Sequence, residues 1–141
     1  MKKGKIICGF AGIGKSTCTG RFLKVVDLES TPFDKNWKIY AKVANHMANN
    51  GYTVLLSCHS EIRQELLNNQ IDFVTVIPSP ILNGIDSKTI YLERYKQRGN
   101  TQDFIDLMNN NWGKFNLKLP SEIIVEIPLD KYLVDILPFI K

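Results

Sequence analysis

The segment GFAGIGKST, from Gly9 to Thr17, carries the densest chemistry in the chain. It fits the spacing G-x-x-x-x-G-K-[ST], with Gly9, Gly14, Lys15 and Ser16 at the fixed positions. Glycines so placed let the backbone curl until N–H groups point inward at a phosphate. A helix starting straight after the loop adds its positive end. The backbone of Ala11, Gly12, Ile13, Gly14, Lys15, Ser16 and Thr17 is expected to cradle the phosphates of a nucleotide. The Lys15 ammonium would reach the β- and γ-phosphates, and the Ser16 hydroxyl would ligate Mg²⁺.

A second set of chemical groups follows. VVDLESTPF places Asp27 and Glu29 at the carboxyl end of a short strand, on the ligand side of the sheet. Two residues apart, they point the same way if the strand continues. One carboxylate could hold Mg²⁺ through water or accept a proton, and the other could hold the acceptor. Two solvated loop acids are the bland alternative. The next strand ends in LLSCHS, without the aspartate that holds Mg²⁺ in many phosphate-loop NTPases. The metal-side carboxylate therefore falls to Asp27, as metal ligand or general base. Cys58 and His59 stand at that strand end, and His59 reads as a hydrogen-bonded turn residue.

YLERYKQRGN carries Arg94 and Arg98 four apart on one helix face. Arginines there would stabilise the charge spread over a phosphoryl group in transfer. On a movable helix they would form a lid, here expected over residues 84–114. Arg63 is the candidate clamp for an anionic acceptor, or else a surface partner of Glu61 or Glu65. Phe33 and Trp37 are candidates to line the acceptor site and stack on a base, whereas Tyr40 reads as core. The stripe Phe104, Ile105, Met108 and Trp112 also reads as core.

These groups need elements to hold them. Apolar runs predict strands over Lys5–Gly9, Val25–Leu28, Tyr52–Ser57, Asp72–Ile77 and Glu122–Ile127. Helical patterns fall between them, over Lys15–Leu23, about Lys35–Asn49 with Asp34 as cap, and Ser60–Asn68 with Ser60 as cap. Further helices are expected over Lys88–Arg98 behind Ser87, from Thr101 to about Asn111, and over about Leu129–Leu137. Pro78–Asp86 reads as a loop. Strands alternating with helices imply βαβ units, a parallel sheet and a three-layer α/β/α domain spanning residues 1–141.

The whole-chain numbers agree with one ordinary globular domain. The chain has 141 residues, 44% of them hydrophobic and 23% charged, which excludes wholesale disorder. A net charge of +4 is too small to argue for nucleic acid by itself and suits a small anion equally well. Cys8, Cys18 and Cys58 form neither a disulfide framework nor a zinc spacing, and fit small buried residues in a reducing cytoplasm. Two lysines before an apolar run mimic a signal peptide, but glycines and Lys15 interrupt the run, and no segment is long enough to span a membrane.

The sequence resembles the small phosphate-loop kinases of the adenylate-kinase-like group, which includes nucleoside monophosphate, shikimate and gluconate kinases. GFAGIGKST is similar to the group's phosphate loop and DLE to its acidic segment, with Glu29 where a second Asp is usual. SCHSEIRQELL resembles a gluconate-kinase segment with an arginine at the place of Arg63, and YLERYKQRG resembles the lid helix. With Trp112 after an Asn-rich helix, the chain looks like short phage- and bacteria-encoded proteins described as nucleotide kinases. The resemblance implies a sheet of order 2-3-1-4-5, Mg-ATP as donor and closure of a lid. The expected activity is phosphoryl transfer to a small acceptor, foremost a nucleoside or deoxynucleoside monophosphate. Glu29, Phe33, Trp37 and Arg63 would hold that acceptor, with Lys15, Asp27, Arg94 and Arg98 catalytic. The alternatives are an alcohol acceptor, as in a sugar acid or a polynucleotide 5′-hydroxyl, and a nucleotide-binding module without turnover. A nucleic acid enters only as a 5′-end substrate, and the sequence leaves the oligomeric state open.

Overall fold

In the computed structural model, five strands form one parallel sheet: β1 (Ile6–Gly9), β2 (Val25–Asp27), β3 (Thr53–Leu56), β4 (Val74–Pro78) and β7 (Ile124–Ile127). Their order is β2-β3-β1-β4-β7, and every neighbouring pair is parallel. Counting only the strands of this sheet, that is the expected 2-3-1-4-5. The structure describes residues 3–82 and 84–140. The first of the two N-terminal lysines and one residue of the expected 78–86 loop therefore lie outside the described residues.

Strand alternation divides the core in two. Ile6, Cys8, Val54 and Leu56 face α2 (Trp37–Asn49) and α3 (Ser60–Asn68), where Tyr40, Ala41, Ala44, Ile62 and Leu66 are buried. Ile7, Leu55 and Val76 face the other layer. That layer contains α1 (Lys15–Arg21), α4 (Ser87–Gln97), α5 (Gln102–Asn110), the single turn α6 (Trp112–Phe115) and α7 (Leu133–Ile136). Small alanines on α2 let the helix lie close against the sheet. Ile105 and Met108 are buried, and Trp112 packs on Phe10 with ring centroids 4.8 Å apart, so the α5 stripe is core as expected.

Several boundaries differ from expectation for local reasons. Asp34 does not cap α2, because its own backbone is left-handed (φ 46°), and Asn36 accepts from the Ile39 N–H instead. Asp86, one residue earlier than Ser87, caps α4 by accepting from the Thr89 N–H. Ser60 is the first residue of α3 and bonds the Glu61 carboxylate; it does not cap. Thr101 caps α5 as expected. The segment read as a loop carries a two-stranded hairpin, β5 (Ile81–Leu82) with β6 (Ile85–Asp86). The expected last helix starts only at Leu133 and continues as a 3₁₀ turn, Leu137–Phe139. No helix among the described residues is long and apolar enough to cross a membrane.

Candidate functional site

Parallel strands deliver their carboxyl ends to one edge, where ligands of open α/β sheets bind. The phosphate loop leaves β1 at Gly9 and enters α1 at Lys15. Gly12 and Gly14 both have φ of 93°, a region that disfavours any side chain. Space is short as well: a Cβ on Gly12 would clash with the Tyr95 ring at 2.8 Å, and one on Gly14 would sit tightly, 3.2 Å from Tyr132. Ser16 and Thr17 are exposed at the first turn of α1.

Lys15 folds back over the loop and donates from Nζ to the Gly9 carbonyl at 2.6 Å. Burial lowers the affinity of its amine for a proton, and the charge of Asp27 opposes that shift. Asp27 in turn sits in a half-buried position at the end of β2. Desolvation raises its carboxyl above the ordinary value, Lys15 pulls it down and Glu29 pushes it further up. Lys15 and Asp27 thus lie close enough to feel each other's charge, and Ser16 follows Lys15 on the first turn of α1; residue types of this kind suit a triphosphate with Mg²⁺. No cluster of three metal-ligating side chains exists among the described residues. A magnesium ion here would lean on the nucleotide's own oxygens.

Beside the loop a pocket of about 130 Å³ is lined by Gly9, Ala11, Lys15, Ser57, His59 and the apolar side chains of Phe104, Met108 and Phe115. His59 and Phe115 also line a neighbouring cleft of about 440 Å³, bounded by Ser30, Thr31, Trp37, Glu61, Asn111 and Lys114. The two spaces share these walls. His59 lies against Trp37 (centroids 5.2 Å) and meets the edge of Phe115 (5.9 Å), and its Nδ1 is 2.9 Å from the Ser57 hydroxyl. Tyr40 holds this corner from below: its hydroxyl donates to the Leu28 carbonyl at 2.5 Å and accepts from the Ser57 N–H at 3.1 Å. Trp37 therefore lines the larger cleft. Phe33 packs on Tyr40 behind it, with centroids 5.0 Å apart, and Glu29 is exposed at the rim.

Two expected roles meet a different geometry. Arg63 is buried at 1% exposure, and its Nη1 bonds the Glu122 carboxylate at 2.8 Å. It also donates to the Cys58 and Leu117 carbonyls at 3.1 Å each. It is a core cation under the cleft, neither an acceptor clamp nor a surface partner of Glu61 or Glu65. Glu122 also accepts from the Thr75 hydroxyl and the Leu119 N–H, so one buried carboxylate gathers three groups. Arg94 is likewise committed. It donates to the Gly12 carbonyl at 2.9 Å and the Leu129 carbonyl at 3.0 Å, between the rings of Tyr91 and Tyr132. Its guanidinium has turned to the protein, so it is not free to meet a transferred phosphoryl group. Arg98 is exposed, stacks over Tyr95 and reaches to 3.4 Å from a Cβ placed on Gly12. It is the arginine of the helix that stands open beside the loop.

Sequence reasoning did not single out Ser57, Lys114 and Phe115, which line these spaces; His59, read as a hydrogen-bonded turn residue, is paired with the Ser57 hydroxyl and also lines both. His59 carried a usable signal, since it lies in the short turn between the carboxyl end of β3, the strand next to β1, and α3. Lys114 and Phe115 lie on a four-residue turn with no periodicity to betray it.

His59 makes a pH prediction possible. Burial and the nearby Lys15, Arg63 and Lys114 lower its proton affinity below the ordinary 6.5, against the pull of Glu61. The unfolded chain then binds the proton more readily than the folded one. Stability contributed by neutral His59 is present above pH 6.5 and lost as pH falls from there through the lower folded value. Chemical denaturation at a series of pH values should show this decline, and His59→Gln should flatten it.

No family model matches the sequence, and no curated protein does. Among solved structures, a mutant of the Mycobacterium tuberculosis APS kinase CysC is 17% identical, with a TM-score of 0.41. The match covers 77% of this chain and 99% of that one. So distant a likeness says nothing about what this chain does.

Proposed function

We propose that the chain moves the γ-phosphoryl group of Mg-ATP to a small acceptor bound in the cleft beside Trp37 and His59. The observation that carries this is the adjacency of the two spaces. The pocket at the phosphate loop and its lysine shares His59, Leu107 and Phe115 with a cleft that has an aromatic wall. Lys15 and the loop amides would hold the donor, and Ser16 and Asp27 would hold Mg²⁺, which neutralises charge on the β- and γ-oxygens when bound. Arg98 would meet the charge that develops in transfer.

A nucleoside monophosphate suits the cleft best. Trp37 and Phe115 offer faces or edges to a planar base, and the cleft carries Lys35 and Lys114 together with Asp34 and Glu61. A phosphate acceptor is already ionised near neutral pH and needs no strong base. Mg-ATP should be tested against nucleoside monophosphates, nucleosides, sugar acids and 5′-hydroxyl oligonucleotides, following ADP and phosphorylated product. Conversion of one monophosphate to its diphosphate supports the reading. Tight ATP binding with no product from any acceptor favours a binding module. Trp37→Ala should raise the KM for the monophosphate about tenfold, as expected for one lost stacking contact, and leave the KM for Mg-ATP unchanged.

One observation favours an alcohol acceptor instead: Arg63, the expected clamp for an anionic acceptor, is buried away from the cleft. The partial burial that raises the Asp27 carboxyl is compatible with a general base. Under that reading Asp27→Asn should cost about 10²-fold or more in turnover. Substantial turnover surviving in Asp27→Asn would remove the base role.

A further inference from the structure

Five consecutive carbonyls of the phosphate loop are each tied down. Two are held from within: Gly9 by Lys15 Nζ at 2.6 Å and Phe10 by the Ile13 N–H at 3.3 Å. Three are held from outside. The Tyr95 hydroxyl donates to Ala11 at 2.7 Å, Arg94 Nη1 to Gly12 at 2.9 Å and the Leu133 N–H to Ile13 at 2.6 Å. The outside donors come from α4 and from the first residue of α7, distant in sequence from the loop and from each other.

A trans peptide unit is rigid, and its C=O and following N–H point opposite ways. Fixing the carbonyls of Ala11, Gly12 and Ile13 outward therefore turns the N–H groups of Gly12, Ile13 and Gly14 the other way. The Ile13 N–H is already engaged by Phe10. The Gly12 and Gly14 amides are then the ones presented to a ligand. A loop with several glycines would otherwise order only on binding, at a cost in affinity.

We propose that Tyr95, Arg94 and the Leu133 amide form an external brace that sets the peptide planes of the phosphate loop before the donor arrives. Arg94 is a positioning residue in this brace, and α4 acts as a buttress to the loop. The proposal rests on the donor-phosphate reading above. Arg94 suits the task because its planar fork serves two segments at once, Gly12 with Nη1 and Leu129 with Nη2. Two tyrosine rings hold the fork flat, Tyr91 at 4.4 Å and Tyr132 at 4.2 Å. Tyr132 also lies 3.2 Å from where a Cβ on Gly14 would stand, so the same ring borders both the brace and the loop.

The test uses the full chain and two readouts. The first is the backbone ¹⁵N order parameters of residues 11–14 in the nucleotide-free protein. They should be near 0.85 in the parent and fall toward about 0.6 in Tyr95→Phe and in Arg94→Lys. Tyr95→Phe keeps the ring and its packing, so it remains informative even if Arg94→Lys fails to fold. Unchanged order parameters in Tyr95→Phe overturn the brace. The second is the Kd for Mg-ATP, expected to rise roughly fivefold in Tyr95→Phe for one lost hydrogen bond, with the KM of the acceptor unmoved. Softened loops with unaltered Mg-ATP affinity also overturn it. If the parent binds no Mg-ATP, the donor reading falls, and the order parameters alone decide the brace.

Discussion

Lys15→Ala is expected to lower phosphoryl transfer by about 10²–10³-fold while the protein stays folded. The ammonium is the one cation inside the loop, and its 2.6 Å bond to Gly9 keeps it folded across the place where donor phosphates would lie. In a site that excludes water, a fixed positive charge beside a developing negative one counts for more than it would in solution. Stability should move little. Burial already disfavours the charged amine, so its removal relieves a desolvation cost that offsets the attraction to Asp27. Initial rates with the acceptor found by screening, together with a thermal melt, separate the two effects. A variant with parental turnover would remove the donor assignment altogether.

Glu122→Ala should be the most damaging single change to the fold. It leaves the Arg63 guanidinium buried at 1% exposure without its carboxylate and strips the Thr75 hydroxyl and Leu119 N–H of a partner. Breaking one side of a buried ion pair costs about 3–5 kcal/mol. For a chain of this size that lowers Tm by roughly 10–15 °C. Replacing both partners, as in Arg63→Met with Glu122→Leu, should recover much of the loss, because no charge is then left alone. Thermal melts of Arg63→Met, Glu122→Leu and the double variant form the cycle that measures it. A loss in the double variant equal to the sum of the two single losses would show that the pair is not coupled. The same pair matters to the site. Arg63 holds the Leu117 carbonyl, just beyond Phe115, so its loss should also loosen that wall of the cleft.

Much of the frame was legible because it depends on local patterns. The continuous apolar strands and the amphipathic α2 follow from periodicity, and the phosphate loop follows from glycine spacing. The errors at Asp34, Ser60 and Ser87 are of one or two residues, where several polar side chains compete for the same helix end. The hairpin at Ile81–Leu82 and Ile85–Asp86 was not legible, because two-residue strands carry no measurable alternation. Long-range partners were the harder loss. Arg63 and Glu122 lie 59 residues apart, and nothing near Arg63 distinguishes a clamp from a core cation. Arg94 and Arg98 look alike on a helix, yet one is buried between two rings and the other stands in solvent.

The sequence by itself determined that a strand, a glycine-rich turn and a helix follow one another at Gly9–Lys15. Backbone sterics and hydrogen bonding act over a few residues and are written in their identities. It determined the alternation of strands and helices for the same reason. Only the tertiary structure decided which arginine is free, which histidine faces the cleft and which donors hold the loop carbonyls. Each depends on which side chains meet after the sheet is assembled. A guanidinium settles where buried acceptors meet it, and acceptors from Gly12, Leu129 and Glu122 lie far along the chain from the arginines they hold, although Arg63 Nη2 keeps no partner among the described residues.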